Sequence, residues 1–319
     1  MATLPSTPAD APPGLAPDTI EAPAVVARKP GLLRRLLRNW SVLIGAVIVI
    51  AIALVGLAAP LLTPADPSAI NPSNRNKTPG TQITERNDEG QRITRSAHMG
   101  TDSLGRDVYA RVVYGARVSL IVGLSAAVVS VAAGLLIGLV AGYFRWMDAI
   151  LMRIMDGLMA IPAILLAIAL VSLSGASLLT VIVAIAIPEI PRVVRLVRAI
   201  VLTIREEPYV EAAISVGTPT PKVIWRHVLP NTIAPLIVQA TFIAGSAILA
   251  EAILSFLGVG LPTDIPTWGN IMAEGRTSFQ VFPHNIYYPA IFLTLTVLAI
   301  NMLGDGLRDT LDPRMAKKV

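Results

Sequence analysis

Hydrophobic and polar positions fall into long blocks along this chain, not into the short alternation of strands or the one-sided stripes of soluble helices. A helix needs roughly 20 apolar residues to cross a bilayer, and six blocks approach that length. Ser41–Leu62 carries no charge and ends at Pro60 and Pro64. Ser119–Phe144 is the second block and Ile150–Leu173 the third. The fourth begins near Leu178, passes Pro188 and Pro191, where a kink is expected, and emerges into Arg192, Arg195 and Arg198. Thr232 to Gly258 and Ile286 to Met302 complete the set. Polar connectors separate them: Thr63–Gly115, a turn at Arg145, Trp146 and Asp148, the stretch Ala199–Pro230, and the Pro/Gly-rich loop Val259–Asn285. The pattern predicts an all-α, polytopic membrane protein with six transmembrane helices. Gly134, Gly138 and Gly142, spaced four apart, fall near one stripe of the second span and predict close approach of another helix.

Composition agrees with the pattern. Hydrophobic residues make up 54% of the 319 and charged ones only 15%, against about 25% charged in an ordinary soluble domain. The net charge of +5 comes from Lys and Arg beside the apolar blocks. Arg28, Lys29, Arg34, Arg35 and Arg38 precede the first, and Arg308, Arg314, Lys317 and Lys318 follow the last. With both termini on one side, sixteen basic residues fall on that side and eight on the other, seven of these in the long loop Thr63–Gly115. In that loop Asp66, Glu85, Asp88, Glu89, Asp102 and Asp107 nearly balance them. The bias orients the chain in a bacterial inner membrane with both termini cytoplasmic, and it accounts for the charge without nucleic acid. Residues 1–39 form a basic leader whose first part, rich in Pro and Ala, reads as disordered. It lacks the make-up of a secretory signal.

Several chemistries are excluded. Without cysteine there is no disulfide, thiolate nucleophile or thiolate metal site, and only His98, His227 and His284 offer imidazole. His98 and Met99 are a thin pair of soft ligands in a loop, so no metal site is expected. No G-x-x-x-x-G-K-[ST] loop occurs, so the chain is expected to bind no ATP and no other cofactor. No catalytic residue is assigned. Gly245-Ser246 lacks both a nucleophile-elbow context and a nearby His in a span, which removes an intramembrane serine protease. Ionisable groups at membrane depth are costly and functional by default. Glu251, with Ser246 nearby on the fifth span, is therefore the candidate for facing a translocation path, a structural partner being the competing role for Glu251. Arg153 and Asp156, three apart on the third span, are expected to pair with each other. Glu189, between two prolines, is read as a helix-end residue, and Asp305 and Asp309 as a cytoplasmic boundary. The glycine-rich, charged stretch Gly100–Arg111 is expected to re-enter or cap the outer mouth, either contacting an external protein or held as a loop by Asp–Arg pairs.

The most informative stretch is Glu211–Asn231. Tyr209–Val216 reads as a helix of two turns whose Ala212 and Ala213 let a partner surface approach. Gly217 supplies a left-handed bend. Thr220 caps and Pro221 opens a second short helix, Pro230 ends it, and Asn231 caps the fifth span. A rigid helix–bend–helix between two spans can pass force from a partner into the membrane. A plain amphipathic connector is the alternative.

That stretch resembles the EAA loop of ABC importer permeases: Glu211, Ala212, Ala213, Gly217 and Leu229-Pro230 match position by position. The longer ending in His227, Leu229, Pro230 and Asn231 resembles the dipeptide/oligopeptide (and nickel) permease branch. So do the runs His98–Arg111, Gly115–Leu120, Leu254–Gly260, Pro266–Asn270 and Leu303–Pro313. Thr218-Pro-Thr-Pro221 is richer in proline than that pattern. The resemblance implies a type I importer transmembrane domain over 117–306, preceded by a first helix at 40–63 and an external loop at 64–116, and followed by a cytoplasmic tail at 307–319. It implies a coupling loop at about 199–230 that docks separate ATPase subunits, which bind the ATP and Mg. It further implies a second homologous permease subunit that shares the pore, an external substrate-binding protein, and a cargo of di- or oligopeptides. A self-contained secondary transporter or channel is the rival reading. It has no use for a docking loop, and the inverted repeat it would often carry is not visible.

Overall fold

The computed structural model describes residues 32–86 and 92–311. The leader with Arg28 and Lys29, the loop residues Asp88 and Glu89, and the tail with Arg314, Lys317 and Lys318 lie outside the described residues. Helix α1 (Leu32–Leu36) leads into α2 (Trp40–Leu57), and α3 (Ala59–Leu62) is a single turn after it. Strands β1 (Gln82–Arg86) and β2 (Arg92–Ser96) form an antiparallel hairpin. Then follow α4 (Val108–Tyr143), α5 (Arg145–Met159), α6 (Ala163–Ser174), α7 (Leu178–Arg205), α8 (Pro208–Ser215), α9 (Thr220–Val223), α10 (Leu229–Phe256), α11 (Trp268–Gly275) and α12 (His284–Leu311).

Among the described residues, four helical stretches are long and apolar enough to cross a membrane: Trp40–Leu57, Val108–Tyr143, Thr220–Phe256 and His284–Leu311. The expected third span is not one helix. α5 and α6 meet at 88° around Ile161 and Pro162, because proline lacks the N–H that would carry the helix on and drives the residue before it out of helical space. The expected fourth span is a single helix, α7, unbroken through Pro188 and Pro191. Every 18-residue window of it holds at least three charged side chains. Of the six expected spans, four are plain helices long and apolar enough to cross, the third is a bent pair, and α7 carries too many charges to qualify by length and composition.

Other boundaries shift for identifiable reasons. α2 stops at Leu57, and Pro60 sits in the separate turn α3. α4 starts eleven residues before the expected Ser119, at Val108, where the Asp107 carboxylate caps it by accepting from the Tyr109 N–H at 2.8 Å. The connector expected at 64–116 therefore contains a hairpin and the first turns of a helix. α12 runs from His284 to Leu311 and so exceeds Ile286–Met302 at both ends.

Glycine sets the closest helix contacts. A Cβ on Gly134 would lie 2.4 Å from Val193 Cβ, one on Gly138 2.7 Å from Val197 Cβ, and one on Gly142 2.6 Å from Val201 Cβ. The two stripes mesh in four-residue steps, so α4 and α7 pack along the expected glycine face. Ser130, one turn earlier, donates to the Ala186 carbonyl of α7 at 3.1 Å. α2 lies on α12 in the same way: a Cβ on Gly45 would meet the Ala299 carbonyl at 2.7 Å, and one on Gly306 would meet Val42. The Asn39 side chain caps α2 at Ser41 N and donates to the Gly306 carbonyl, which locks this pair's register.

Candidate functional site

The stretch matching the EAA pattern projects from one end of the helix bundle. α8 carries Glu211, Ala212 and Ala213, with Glu211 and Ala212 exposed and only Val210 of this helix buried. Its C-terminus is a Schellman turn: Gly217 N–H donates to the Ile214 carbonyl at 2.9 Å and Thr218 N–H to Ala213 at 3.1 Å. Gly217 has φ of +79°, open to glycine at little cost, and its Cα faces empty space. The turn is held by backbone geometry, which leaves the outer surface free for a partner.

Beyond the bend the structure departs from expectation. Pro219 precedes the first helical residue, Thr220, and Thr220 makes no side-chain cap. Pro230 does not end a short helix, and Asn231 does not cap a new one. α9, a π-helical turn over Ile224–Val228 and α10 form one helix, Thr220–Phe256. The wide turn resolves the proline problem: Leu229 N–H reaches back to the Ile224 carbonyl, and the widened ladder accommodates the missing N–H and the ring of Pro230. Asn231 Nδ2 donates to the His227 carbonyl at 2.6 Å and reaches Tyr209 Oη of α8 at 3.5 Å. The Tyr209 and His227 rings lie 5.9 Å apart. His227 and Asn231 therefore hold α8 against the start of the long helix. Tyr209 completes that joint and was not singled out from sequence. Its signal was available, since an aromatic one turn before Ala213 on an exposed helix needs a partner.

The candidates on α10 separate. Ser246 is exposed and lines a cleft between α6, α7 and α10, which it shares with Glu189. Glu251 is wholly buried (0% exposed) within the chain. Its Oε1 accepts from Ser255 Oγ at 2.8 Å, while Oε2 has no hydrogen-bond partner. Packed beside it, Gly260 and Gly269 come so close to α10 that a Cβ on either would strike Ser255 or Ala252 within 2.8 Å. The structure thus places Glu251 where the loop after α10 folds back, off the cleft. Glu189 lies in the middle of α7, not at its end, and accepts from Arg192 at 2.7 Å. Asp156 pairs with Arg195 of α7 at 2.6 Å instead of Arg153, and Asp148 pairs with Arg198 at 2.5 Å, so the polar face of α5 is clamped to α7. Asp305 and Asp309 fall in the last turns of α12.

At the other end, Gly100–Arg111 is held by its own ion pairs. Asp102 accepts from the backbone N–H groups of Leu104 and Arg106, from Arg106 Nε at 2.7 Å and from Arg111 Nη1 at 2.7 Å. Glu274 of α11 pairs with Arg111 at 2.6 Å and with Arg106. Both arginines also reach the Thr263 carbonyl. Asp107 pairs with Arg95 of the hairpin. Trp268 Nε1 donates to the Val112 carbonyl, and the ring packs over Gly115. Asn270 Nδ2 lies within 3.1 Å of the carbonyls of Leu261, Pro262 and Ile265. The runs His98–Arg111 and Pro266–Asn270 are therefore two halves of one clasp. His98 meets Tyr109 edge to face and Met99 packs into an apolar cluster with Trp268, so the two side chains serve different contacts.

Comparison with known proteins bears on both ends. Residues 134–317 match the family described as binding-protein-dependent transport system inner membrane component, and residues 32–79 match the N-terminal TM domain of oligopeptide transport permease C. The chain is 50% identical over 281 residues to a protein of Sinorhizobium fredii named as a probable peptide ABC transporter permease, covering 88% of this chain and 91% of that one. It is 39% identical over 283 residues to a dipeptide transport system permease protein of Alkalihalophilus pseudofirmus, 88% of each chain. With an oligopeptide transport system permease protein of Bacillus subtilis it shares 33% over 280 residues, covering 88% and 87%.

Proposed function

The chain belongs to the family of binding-protein-dependent transport system inner membrane components, and on that footing we propose that it passes di- and oligopeptides into the cell as a permease subunit. It lies in the bacterial inner membrane with both termini cytoplasmic. A second, homologous permease subunit completes the path, and an external binding protein delivers the cargo. Two separate ATPase subunits bind ATP and Mg; this chain binds no cofactor and catalyses no reaction. Ser246, on the cleft side of α10, belongs to the path, and Glu251 keeps the loop after α10 folded beside it. Peptide cargo is supported by the names of the three relatives.

The observation that carries the coupling role is the joint between α8 and the helix Thr220–Phe256. α8 offers Glu211 and Ala212 outward, the Schellman turn at Gly217 leaves no slack, and Tyr209, His227 and Asn231 fix the angle. The helix beyond has 37 residues, about 55 Å at 1.5 Å each, and carries Ser246. A push on α8 by a closing ATPase pair is thus delivered to the cleft with no flexible hinge between. Co-purification of this chain with its ATPase and permease partners tests the reading. The double variant Glu211→Arg, Gly217→Trp should lose the ATPase while still inserting in the membrane. Retention of the ATPase by that variant would move the docking surface elsewhere, and peptide uptake by the chain alone under an ion gradient would overturn the importer mechanism.

A further inference from the structure

The cleft between α6, α7 and α10 bears on the chemistry of the cargo. It encloses about 210 Å³. Ile164, Ala167, Ile185, Leu249 and Ile253 are among its apolar walls, and Glu189 and Ser246 are its two polar side chains. The clasp around Asp102 differs in kind, since its two acids and two arginines pair with one another.

Glu189 is nearly covered, its side chain 13% exposed, while its partner Arg192 is 58% exposed. The acid belongs to the cleft, and the cation reaches it from the surface. Arg192 Nη1 takes only Oε2, and no other described side chain donates to the carboxylate. Pro188, which also lines the cleft, has no N–H to offer it. An ammonium, with three donors and no acceptor, is the complement of a carboxylate that keeps one oxygen without a protein donor.

We infer that the cleft takes a primary ammonium and that Glu189 receives the α-amino terminus of a peptide in transit; the identity of the cargo rests on the importer reading above. Arg192 is the built-in substitute. It covers the carboxylate when the cleft is empty and swings into water when an ammonium displaces it, so the acid is never stranded unpaired at membrane depth. Exchange of one cation for another also keeps the affinity low, as passage requires.

The test uses the complete transporter in membrane vesicles. The chain has no cysteine, so Ser246→Cys places one thiol in the cleft, and label is followed on this chain. A cationic alkylthiosulfonate should react faster than an anionic one of like size. Adding Glu189→Gln should lower that preference about three- to tenfold, whereas Glu189→Asp should keep it. Tri-alanine should slow labelling, N-acetyl-tri-alanine should not, and Glu189→Gln should abolish the difference. A thiol that does not react, equal rates for the two reagents, equal protection by the two peptides, or protection that survives Glu189→Gln would each overturn the proposal. Uptake of tri-alanine by the unsubstituted transporter is measured beside it. No uptake together with an intact charge preference would remove the peptide assignment and leave the ammonium site standing.

Discussion

At the scale of single residues, what a glycine faces decides how much it matters. Gly138 sits in the α4–α7 seam, where a Cβ would already be 2.7 Å from Val197 Cβ, whereas a Cβ on Gly157 of α5 would meet nothing within 4 Å. Overpacking of a close contact costs about 1–3 kcal/mol, and replacing an exposed helical glycine by alanine gains about 0.5–1 kcal/mol. Gly138→Val should therefore lower the thermal midpoint of the purified chain in detergent, and Gly157→Ala should hold or raise it. Equal loss in both would mean that the seam does not limit stability. The regular spacing of Gly134, Gly138 and Gly142 was visible in the sequence. Its partners Val193, Val197 and Val201 were not, because many valines lie at helical spacing in apolar blocks and only packing selects three.

At the scale of elements, the joint between α8 and α10 is the feature on which coupling depends. The sequence alone placed α8 and the bend at Gly217, since glycine takes a positive φ without a Cβ clash. It marked Pro230 as a helix end, which is proline's usual effect, and here the π-helical turn at Ile224–Val228 absorbs it. Removing one tie should loosen the joint without destroying the docking surface. Tyr209→Ala deletes the ring that lies 5.9 Å from His227. An aromatic contact of this kind is worth about 0.5–1.5 kcal/mol, so peptide uptake should fall about two- to tenfold. ATP hydrolysis by the assembled transporter should stay near its original rate, so more ATP is spent per peptide. A parallel fall in hydrolysis would place Tyr209 in docking instead of transmission.

At the scale of the whole molecule, charge and length set the orientation. α4 has 36 residues, about 54 Å at 1.5 Å each, against a hydrocarbon core of about 30 Å. Its first turns and the clasp on them therefore stand outside the apolar layer, at the opposite end of the bundle from α8. The absence of cysteine makes this easy to check. Thr78→Cys and Ser215→Cys should react with a membrane-impermeant maleimide from opposite sides of the membrane: Thr78→Cys in intact spheroplasts, Ser215→Cys only after permeabilisation. Labelling of both from outside would invert the proposed topology of α8 and remove its access to cytoplasmic ATPases.

By itself the sequence determined the class of the molecule, the α8 bend and the residues of the EAA pattern. These depend on local quantities: the length of an apolar run, the conformational range of glycine, the order of residues in a motif. Tertiary structure alone decided which charges meet across elements. Asp156 turned to Arg195 in place of Arg153, and Glu274 found Arg106 and Arg111 across more than 160 residues. Glu251 and Ser246, five apart on one helix, ended in a buried contact and on an open cleft. At 100° per residue, five positions on a helix turn the side chain well round the axis. Which direction then meets protein and which meets open space is fixed by the neighbouring helices, and no property of the α10 sequence records where those neighbours lie.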